Sequence, residues 1–348
     1  MKVLFIHFLE DIGGGERYLT NVINALPKEY DVFLLTPNSN TKLDQQINRK
    51  IKKLSKKFSR NIGPFPSFSI SLFLEVKKII KNEEIEVIHL LDHYLIPTLI
   101  FIKYLFGVKV VFASRGLWDV HFFINRLVLK LLNPVLLVST PIQYFRVKSF
   151  VKNIYLLPSF YGKTREIRGS KLNEKINLSI VGRFSPVKNH FLAFDIVNSM
   201  NSNYVLNVFG DKTLDIIEES SEYNDVLVTE ISKSNKIVHH GRISDVEKIY
   251  TNTDILLVTS KSESFSMVTI EALSFGIPVL STLTEGSTFL LNDGYNGFIC
   301  RSKDEFIEKI VIIKNDYKKF SRNAFESSEK FSKDIYINKL IDIYENKI

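Results

Sequence analysis

The sequence predicts an α/β fold of two doubly wound domains, each a parallel sheet flanked by helices. Apolar, β-rich runs alternate with helix-patterned segments from Val3 to Val138 and again from Ile176 to Thr282, the pattern of parallel β-α-β units. The stretch IYLLPSFYGKTREIRGSKLNEK, starting at Ile154, separates the two runs. It holds Pro158, two glycines and many charges, and reads as an interdomain linker. A chain of 348 residues exceeds one small core and suits two domains of ordinary size.

In the first half, Val3–Phe8 is an apolar strand, followed by DIGGGERYLTNVINAL, a glycine loop opening a helix. Tyr30–Thr36 is the next strand. INRKIKKLSKKFSR (47–60) repeats apolar side chains at 47, 51, 54 and 58, which predicts a helix with a strongly basic opposite face. Such a helix would lie on an anionic bilayer or pack its apolar side inward. A helix at Ser69–Lys81, strand 87–91, helix 94–106, strand 108–113, helix 120–131 and strand 135–138 complete this half. In the second half, strands are expected at 176–184, 204–210, 235–241, 254–260 and 277–282, with helical patterning from 304 to 348. Ligands of such sheets sit at the carboxyl ends of the strands, and two facing domains would put a cleft between them.

Composition narrows the class. Apolar residues make up 45% and charged residues 24%, ordinary globular values that exclude disordered and fibrous classes. Cys300 is the one cysteine, so no intrachain disulfide forms, which fits a reducing cytoplasm. The opening MKVLFIHF is too short for a signal-peptide core. The run from Tyr94 to Ala113 has nearly membrane-spanning length, but Lys103, Lys109, Pro97 and Gly107 interrupt it and favour a buried helix followed by a buried strand. Residues 1–170 carry 25 Lys and Arg against 13 Asp and Glu, a net +12, whereas 171–348 carry a net −4. A basic first domain suggests an anionic partner such as a membrane surface or a phosphorylated lipid. Nucleic acid fits poorly, because the basic stretches lack interleaved aromatics and no nucleic-acid motif is present.

Three stretches can carry chemistry. Gly13-Gly14-Gly15-Glu16 joins the first strand to the first helix, where backbone N–H groups and the dipole suit a diphosphate; a plain tight turn is the alternative. It does not match G-x-G-x-x-G, and no acidic residue ends the second strand, so a nicotinamide site is weakly supported. In VGRFSPVKNH (181–190), Arg183 and Lys188 follow a strand end, five positions apart, and can grip a diphosphate as a planar fork and a point charge. KSESFSMVTIEALSFGIPVL (261–280) places Glu263 in a loop and Glu271 inside the following helix, with Ser264 or Ser266 as the N-cap. The two glutamates stand at two depths around one helix start, where phosphate and a ribose diol are bound in dinucleotide folds. The helix is otherwise apolar, so Glu271 needs a partner.

These motifs together resemble the family-4 retaining glycosyltransferases of GT-B architecture, which have two Rossmann-like domains. GGGE at 13–16, VGRFSPVKN, SESFSMVTIEALSFGIPV with its Glu-x7-Glu pattern, NDGYNGFIC at 292–300 and the ending EKFSKDIYINKLIDIYENK all match in order. The resemblance implies an acceptor-binding domain at 1–165, a nucleotide-sugar domain at 166–330 and a C-terminal helix, 331–348, crossing back to the first. It implies a metal-independent, cofactor-free enzyme moving a sugar from a nucleotide-diphosphate sugar, most commonly a UDP-sugar, to a cell-surface glycan or lipid-diphosphate acceptor. Arg183 and Lys188 would bind the diphosphate and stabilise it as it leaves, and Glu263 would lie near the donor hydroxyls. Gly14, Gly15 and Glu16, together with Ser264, Phe265, Ser266, Met267 and Glu271, would bind the donor. Arg115, His121 and His93 would line the acceptor side, with Arg115-Gly116 resembling a subset of surface-polysaccharide enzymes. His89 is a further histidine at that strand end. The sequence departs from the family at Phe289, where many members carry glutamate, and at the hinge Pro158-Ser159-Phe160. The expected place is the cytoplasm, peripheral on the inner membrane face. An epimerase of the same architecture and a non-catalytic nucleotide- or glycan-binding protein remain as alternatives.

Overall fold

Parallel strands covered on both faces are apolar along their whole length, and most strands here follow that rule. The structure, a computed structural model, describes residues 1–7, 14–37, 46–49, 51–56, 68–91, 95–114, 123–161, 172, 174–212, 219–243 and 245–348. It divides into two units: Met1–Gly162 with Lys333–Ile348, and Lys163–Ser332.

The first unit contains β1 (Lys2–Ile6), α1 (Gly14–Ala25), β2 (Asp31–Pro37), β3 (Lys52–Lys56), α2 (Ile70–Glu83), β4 (Val87–Leu90), α3 (Ile96–Phe106), β5 (Lys109–Ala113), α4 (Phe123–Leu132), β6 (Val135–Val138), α5 (Pro141–Val147) and β7 (Ile154–Leu156). Its sheet runs β3-β2-β1-β4-β5-β6-β7, all parallel. Chain order reverses between β1 and β4, which makes that pair the switch point. Helices α2 to α5 cover one face through Leu72, Val76, Leu99, Ile102, Leu129 and Val147. On the other face, α1 and the C-terminal helix Lys333–Tyr344 share one core through Tyr18, Leu19, Tyr336, Leu340 and Tyr344. The membrane-length apolar run resolves into α3, ended by Gly107 in the left-handed region, and the buried strand β5. Among the described residues no helix is long and apolar enough to cross a membrane.

The basic helix expected at 47–60 is corrected. Residues 52–56 form β3, the edge strand, in parallel register with β2. Lysines suit an edge, where an apolar strand would recruit other chains. Lys52 pairs with Glu83 on α2. Arg49 does not face solvent as part of a basic stripe: its guanidinium donates to the carbonyls of Leu26 and Tyr30, each at 2.7 Å, just beyond the end of α1. Ile47 and Ile51 pack against the α1 core, which satisfies the apolar spacing without a helix. A bilayer-facing helix at this place therefore has no basis in residues 52–56; residues 57–60 lie outside the described ones. The short strand β7 falls in the segment read from sequence as the interdomain linker.

The second unit contains β8 (Ile176–Val181), α6 (His190–Ser199), β9 (Tyr204–Phe209), α7 (Glu219–Lys233), β10 (Ile237–Gly241), α8 (Val246–Thr251), β11 (Ile255–Val258), α9 (Met267–Ser274), β12 (Val279–Thr282), α10 (Glu285–Leu290), β13 (Gly297–Cys300), α11 (Lys303–Asn315) and α12 (Tyr317–Ser328). Its sheet runs β10-β9-β8-β11-β12-β13, again all parallel. Here the order reverses between β8 and β11. Phe194, Val197, Phe306, Ile310 and Phe320 close the core against Leu178, Leu206 and Leu257.

Candidate functional site

The carboxyl ends of β8 and β11 meet at the switch point of the second sheet, and the two loops leaving them carry the residues singled out from sequence. The loops are stitched together. The Lys261 N–H donates to the Val187 carbonyl at 2.7 Å, and the Thr259 hydroxyl lies 3.0 Å from the carbonyls of both Lys188 and Asn189. Gly210, at φ +152°, lets β9 end against this loop: a Cβ there would stand 1.9 Å from the Gly182 carbonyl oxygen. The Gly182 N–H in turn donates to the Phe209 carbonyl at 2.9 Å.

Lys188 crosses the switch point and forms an ion pair with Glu263. The same carboxylate oxygen accepts from the Ser260 hydroxyl at 2.8 Å. Both partners are largely buried, with 25% of the Lys188 side chain and 12% of the Glu263 side chain exposed, so the pair feels a lower dielectric than surface water. The Lys188 stem lies along Gly182, close enough that a Cβ there would touch it in ordinary van der Waals contact at 3.5 Å. Arg183 is exposed on the same loop, and no ion pair to it is formed among the described residues. Its guanidinium is thus available to an anion arriving at the switch point.

Beyond Glu263 the loop turns into α9. Ser266 occupies the N-cap at φ 63°, and its hydroxyl meets Thr269 Oγ1 at 2.7 Å instead of capping a backbone N–H. Ser264 and Met267 are half-buried, and Phe265 is buried. The loop is fixed from the other side by α10: the Gly286 N–H donates to the Glu263 carbonyl at 2.8 Å, and a Cβ on Gly286 would come within 2.9 Å of the Phe265 carbonyl carbon. Glu271 lies inside α9 and is 1% exposed. The partner it requires is Tyr250 on α8, whose hydroxyl donates to Glu271 Oε2 at 3.0 Å and also lies 3.1 Å from the Val268 carbonyl. Tyr250, Ser260, Thr259 and Gly286 were not singled out from sequence. Only the burial of Glu271 signalled that a residue such as Tyr250 had to exist.

His190 opens α6 directly behind the Arg183–Lys188 loop. It is fully buried, with its ring 5.2 Å from that of Phe184. Burial pushes its pKa down to about 4, helped by Lys188 and His239 and opposed by the Gly182 carbonyl. The side chain is neutral in the fold and adds no charge to the site.

In the first unit, α1 begins at Gly14, with Gly14 exposed and open space around Gly15. Glu16 is buried, and its Oε1 lies 2.8 Å from His7 Nε2 at the end of β1. His89 is wholly buried, stacked on Phe5, with Nδ1 2.6 Å from the Tyr344 hydroxyl and Nε2 3.3 Å from that of Tyr18. It anchors the C-terminal helix. Gly13, His93, Arg115, Gly116 and His121 lie outside the described residues. Among the described residues no group of three or more His, Cys, Asp or Glu has the geometry to hold a metal ion. A groove of about 670 Å³ lined by Asn177, Asn207, His240 and Asp245 lies over β8 to β10, on residues other than those of the switch point.

Two cations and two carboxylates thus meet at the end of a doubly wound sheet beside a helix start, the kind of place where open α/β sheets take phosphorylated ligands. Comparison with known proteins gives the class. Residues 162–331 match the model for glycosyl transferases group 1, and residues 12–146 match that for glycosyltransferase family 4. A 41.2 kDa protein of the cps region of Klebsiella pneumoniae is 26% identical over 98% of this chain and 99% of its own. The Campylobacter jejuni GalNAc-alpha-(1->4)-GalNAc-alpha-(1->3)-diNAcBac-PP-undecaprenol alpha-1,4-N-acetyl-D-galactosaminyltransferase is 25% identical over 97% of this chain and 95% of its own. The crystal structure of Anabaena Alr3699/HepE in complex with UDP and glucose superposes with a TM-score of 0.79 at 17% identity, covering 99% of both chains. The chain belongs to the family-4-type glycosyltransferases of GT-B architecture.

Proposed function

We propose that this glycosyltransferase moves a sugar from a UDP-sugar to a lipid-diphosphate-linked surface glycan, with retention at the anomeric carbon and without a metal. The observation that carries the reading is the placing of Arg183 and the Lys188–Glu263 pair at the β8–β11 switch point. The acceptor hydroxyl oxygen bonds to the anomeric carbon on the face that the diphosphate leaves. The bond from that carbon to the diphosphate oxygen breaks, its electron pair stays on the diphosphate, and the hydroxyl proton passes to the same leaving group. Arg183 and Lys188 neutralise the charge that develops there, a fixed electrostatic stabilisation that elsewhere contributes roughly 3–4 kcal/mol per donor. Glu263 orients the Lys188 ammonium and stands beside the donor hydroxyls. Backbone N–H groups at the start of α9 hold phosphate or sugar, and Glu271, oriented by Tyr250, takes the ribose.

The Campylobacter relative is named for a diphosphate-undecaprenol acceptor, the HepE complex holds UDP and glucose, and the Klebsiella relative lies in a cps region. They support a UDP donor and a lipid-linked acceptor, and an acceptor of that kind would put the enzyme at a membrane surface. The test is product analysis with a UDP-sugar panel and a short lipid-diphosphate glycan, with and without EDTA. An α-linked product from an α-linked donor, unaffected by EDTA, is expected. An inverted product, loss of activity in EDTA, or epimerised sugar released without acceptor would each overturn the corresponding part.

A further inference from the structure

Helices α2 to α5 form one layer on the first sheet, and its outer side is apolar where a solvent-facing helix carries charge. On α2, Ile70 and Leu74 are 68% and 55% exposed. On α3, Phe101, Tyr104 and Leu105 are each more than half exposed. On α4, Leu127 and Leu131 add to the same layer. The patch is continuous: Phe68, before α2, stacks edge-on against Phe101 at 5.2 Å, and the Tyr104 hydroxyl donates to the Leu131 carbonyl at 2.9 Å. Helix α3 is apolar on every side, a composition suited to full burial, yet it lies at the surface.

The charges on these helices are almost all of one sign. Helices α3, α4 and α5 contain no Asp or Glu, while α4 exposes Arg126 and Lys130 and α5 exposes Arg146. On α2, Lys78 and Lys81 continue the stripe begun by Ile70 and Leu74 at helical spacing. The acidic residues of α2 are Glu75, which is half-buried, and Glu83, which is paired with Lys52. Exposed aromatic and aliphatic side chains among cations match an interface that is apolar inside and anionic at its rim, and the exposed carboxylates next in the chain, Glu84 and Glu86, stand past the end of α2, where Glu84 is paired with Lys2.

We propose that this face of the first unit docks on an anionic lipid bilayer, with Ile70, Leu74, Phe101, Leu105 and Leu131 entering the acyl boundary and the cations meeting the headgroups. The inference deepens the proposed action on a lipid-linked acceptor and rests on that reading for its purpose. It replaces the segment at 47–60 as the membrane contact. Charge complementarity selects the bilayer over a second copy of the chain, because two such faces brought together would oppose cation to cation.

The test is flotation of the full chain with vesicles of phosphatidylethanolamine containing about one third phosphatidylglycerol, compared with phosphatidylcholine alone. The variant combines Leu74→Glu, Leu105→Glu and Leu131→Glu, all at positions more than half exposed. The control combines Val226→Glu and Ile312→Glu on the second unit. Wild type and control are expected to float with the anionic vesicles, less at about 0.5 M salt, and the triple variant to bind about tenfold more weakly with an unchanged melting temperature. Flotation of the triple variant equal to wild type, or no flotation of wild type, overturns the proposal. So does a wild-type dimer, split by the triple variant, that ignores vesicles. If wild type fails to float but still transfers sugar to the acceptor in detergent, the docking surface fails and the proposed activity stands.

Discussion

Lys188 and Glu263, 75 residues apart in the chain, form an ion pair across the junction of β8 and β11, where strand order reverses. Arg183, on the same loop as Lys188, makes no ion pair among the described residues. The two cations should therefore separate stability from function. Arg183→Ala is expected to leave folding stability within about 0.5 kcal/mol of wild type, as surface substitutions do. It should nevertheless weaken UDP binding about tenfold or more. Lys188→Ala strands a largely buried carboxylate and should lower stability by about 1–3 kcal/mol as well as binding. Urea unfolding and calorimetric titration of both variants check this.

The second glutamate depends on a residue that lies 21 positions before it. Tyr250→Phe removes the hydroxyl that holds Glu271 Oε2. With a buried carboxylate losing a donor, about 1–3 kcal/mol of stability should disappear. The change keeps the ring and removes only the hydroxyl, so the loss should exceed that of Leu273→Met in the buried face of α9, a volume-conserving swap. Equal losses in denaturant titrations would remove Tyr250 from the site.

Gly286 is needed for contact and not for its dihedral angle. Gly286→Ala sets a Cβ 2.9 Å from the Phe265 backbone and must push the Glu263–Phe265 loop outward. Overpacking of this kind costs about 1–3 kcal/mol. Turnover should fall with little change in circular dichroism, and an active Gly286→Ala enzyme with wild-type kinetics would contradict the account.

His190 predicts a pH dependence. Its pKa, about 4 in the fold, is below the ordinary 6.5, so the unfolded chain takes up this proton first as pH falls. Its stabilising contribution is complete above about pH 6.5 and is lost between about 6.5 and 4, amounting to at most about 3 kcal/mol. Stability of wild type and His190→Phe measured across that window should differ in slope. Parallel curves would mean that His190 is not held neutral.

The C-terminal helix is part of the first unit's core. Tyr336, Ile337, Leu340, Ile343 and Tyr344 are all buried there. At about 1.5–3 kcal/mol per buried side chain, removing them costs on the order of 10 kcal/mol, comparable to the whole stability of a domain. Deleting 333–348 should leave the first unit unfolded, as read by proteolysis.

The alternating strands and helices were legible because a buried parallel strand is apolar throughout and each helix keeps its own period. The edge strand β3 was not. Its flanking Ile47 and Ile51 carry helical spacing, and its pairing partner β2 lies about twenty residues away, in a contact that periodicity cannot express. Strand β7, of three residues, is too short to show a period, and β13, as long as several strands that could be read, directly follows the polar, Asn- and Gly-rich NDGYN. At the site, the spacing of Glu263 and Glu271 pointed to one helix start, and Arg183 and Lys188 to one loop. What stayed hidden was which groups face each other: Lys188 with Glu263, Tyr250 with Glu271, and His89 with Tyr344. Each of those contacts joins separate segments, and only the fold brings them together.

The central claim is that the β8–β11 switch point holds the diphosphate of the donor. Calorimetric titration of UDP into wild type, Arg183→Ala and Lys188→Ala, all in EDTA, tests it most directly. Wild type is expected to bind, with both variants weakened about tenfold or more, in keeping with the loss of roughly 1.5–3 kcal/mol from a charge-assisted contact. Equal affinity in all three proteins would place the nucleotide elsewhere and contradict the account.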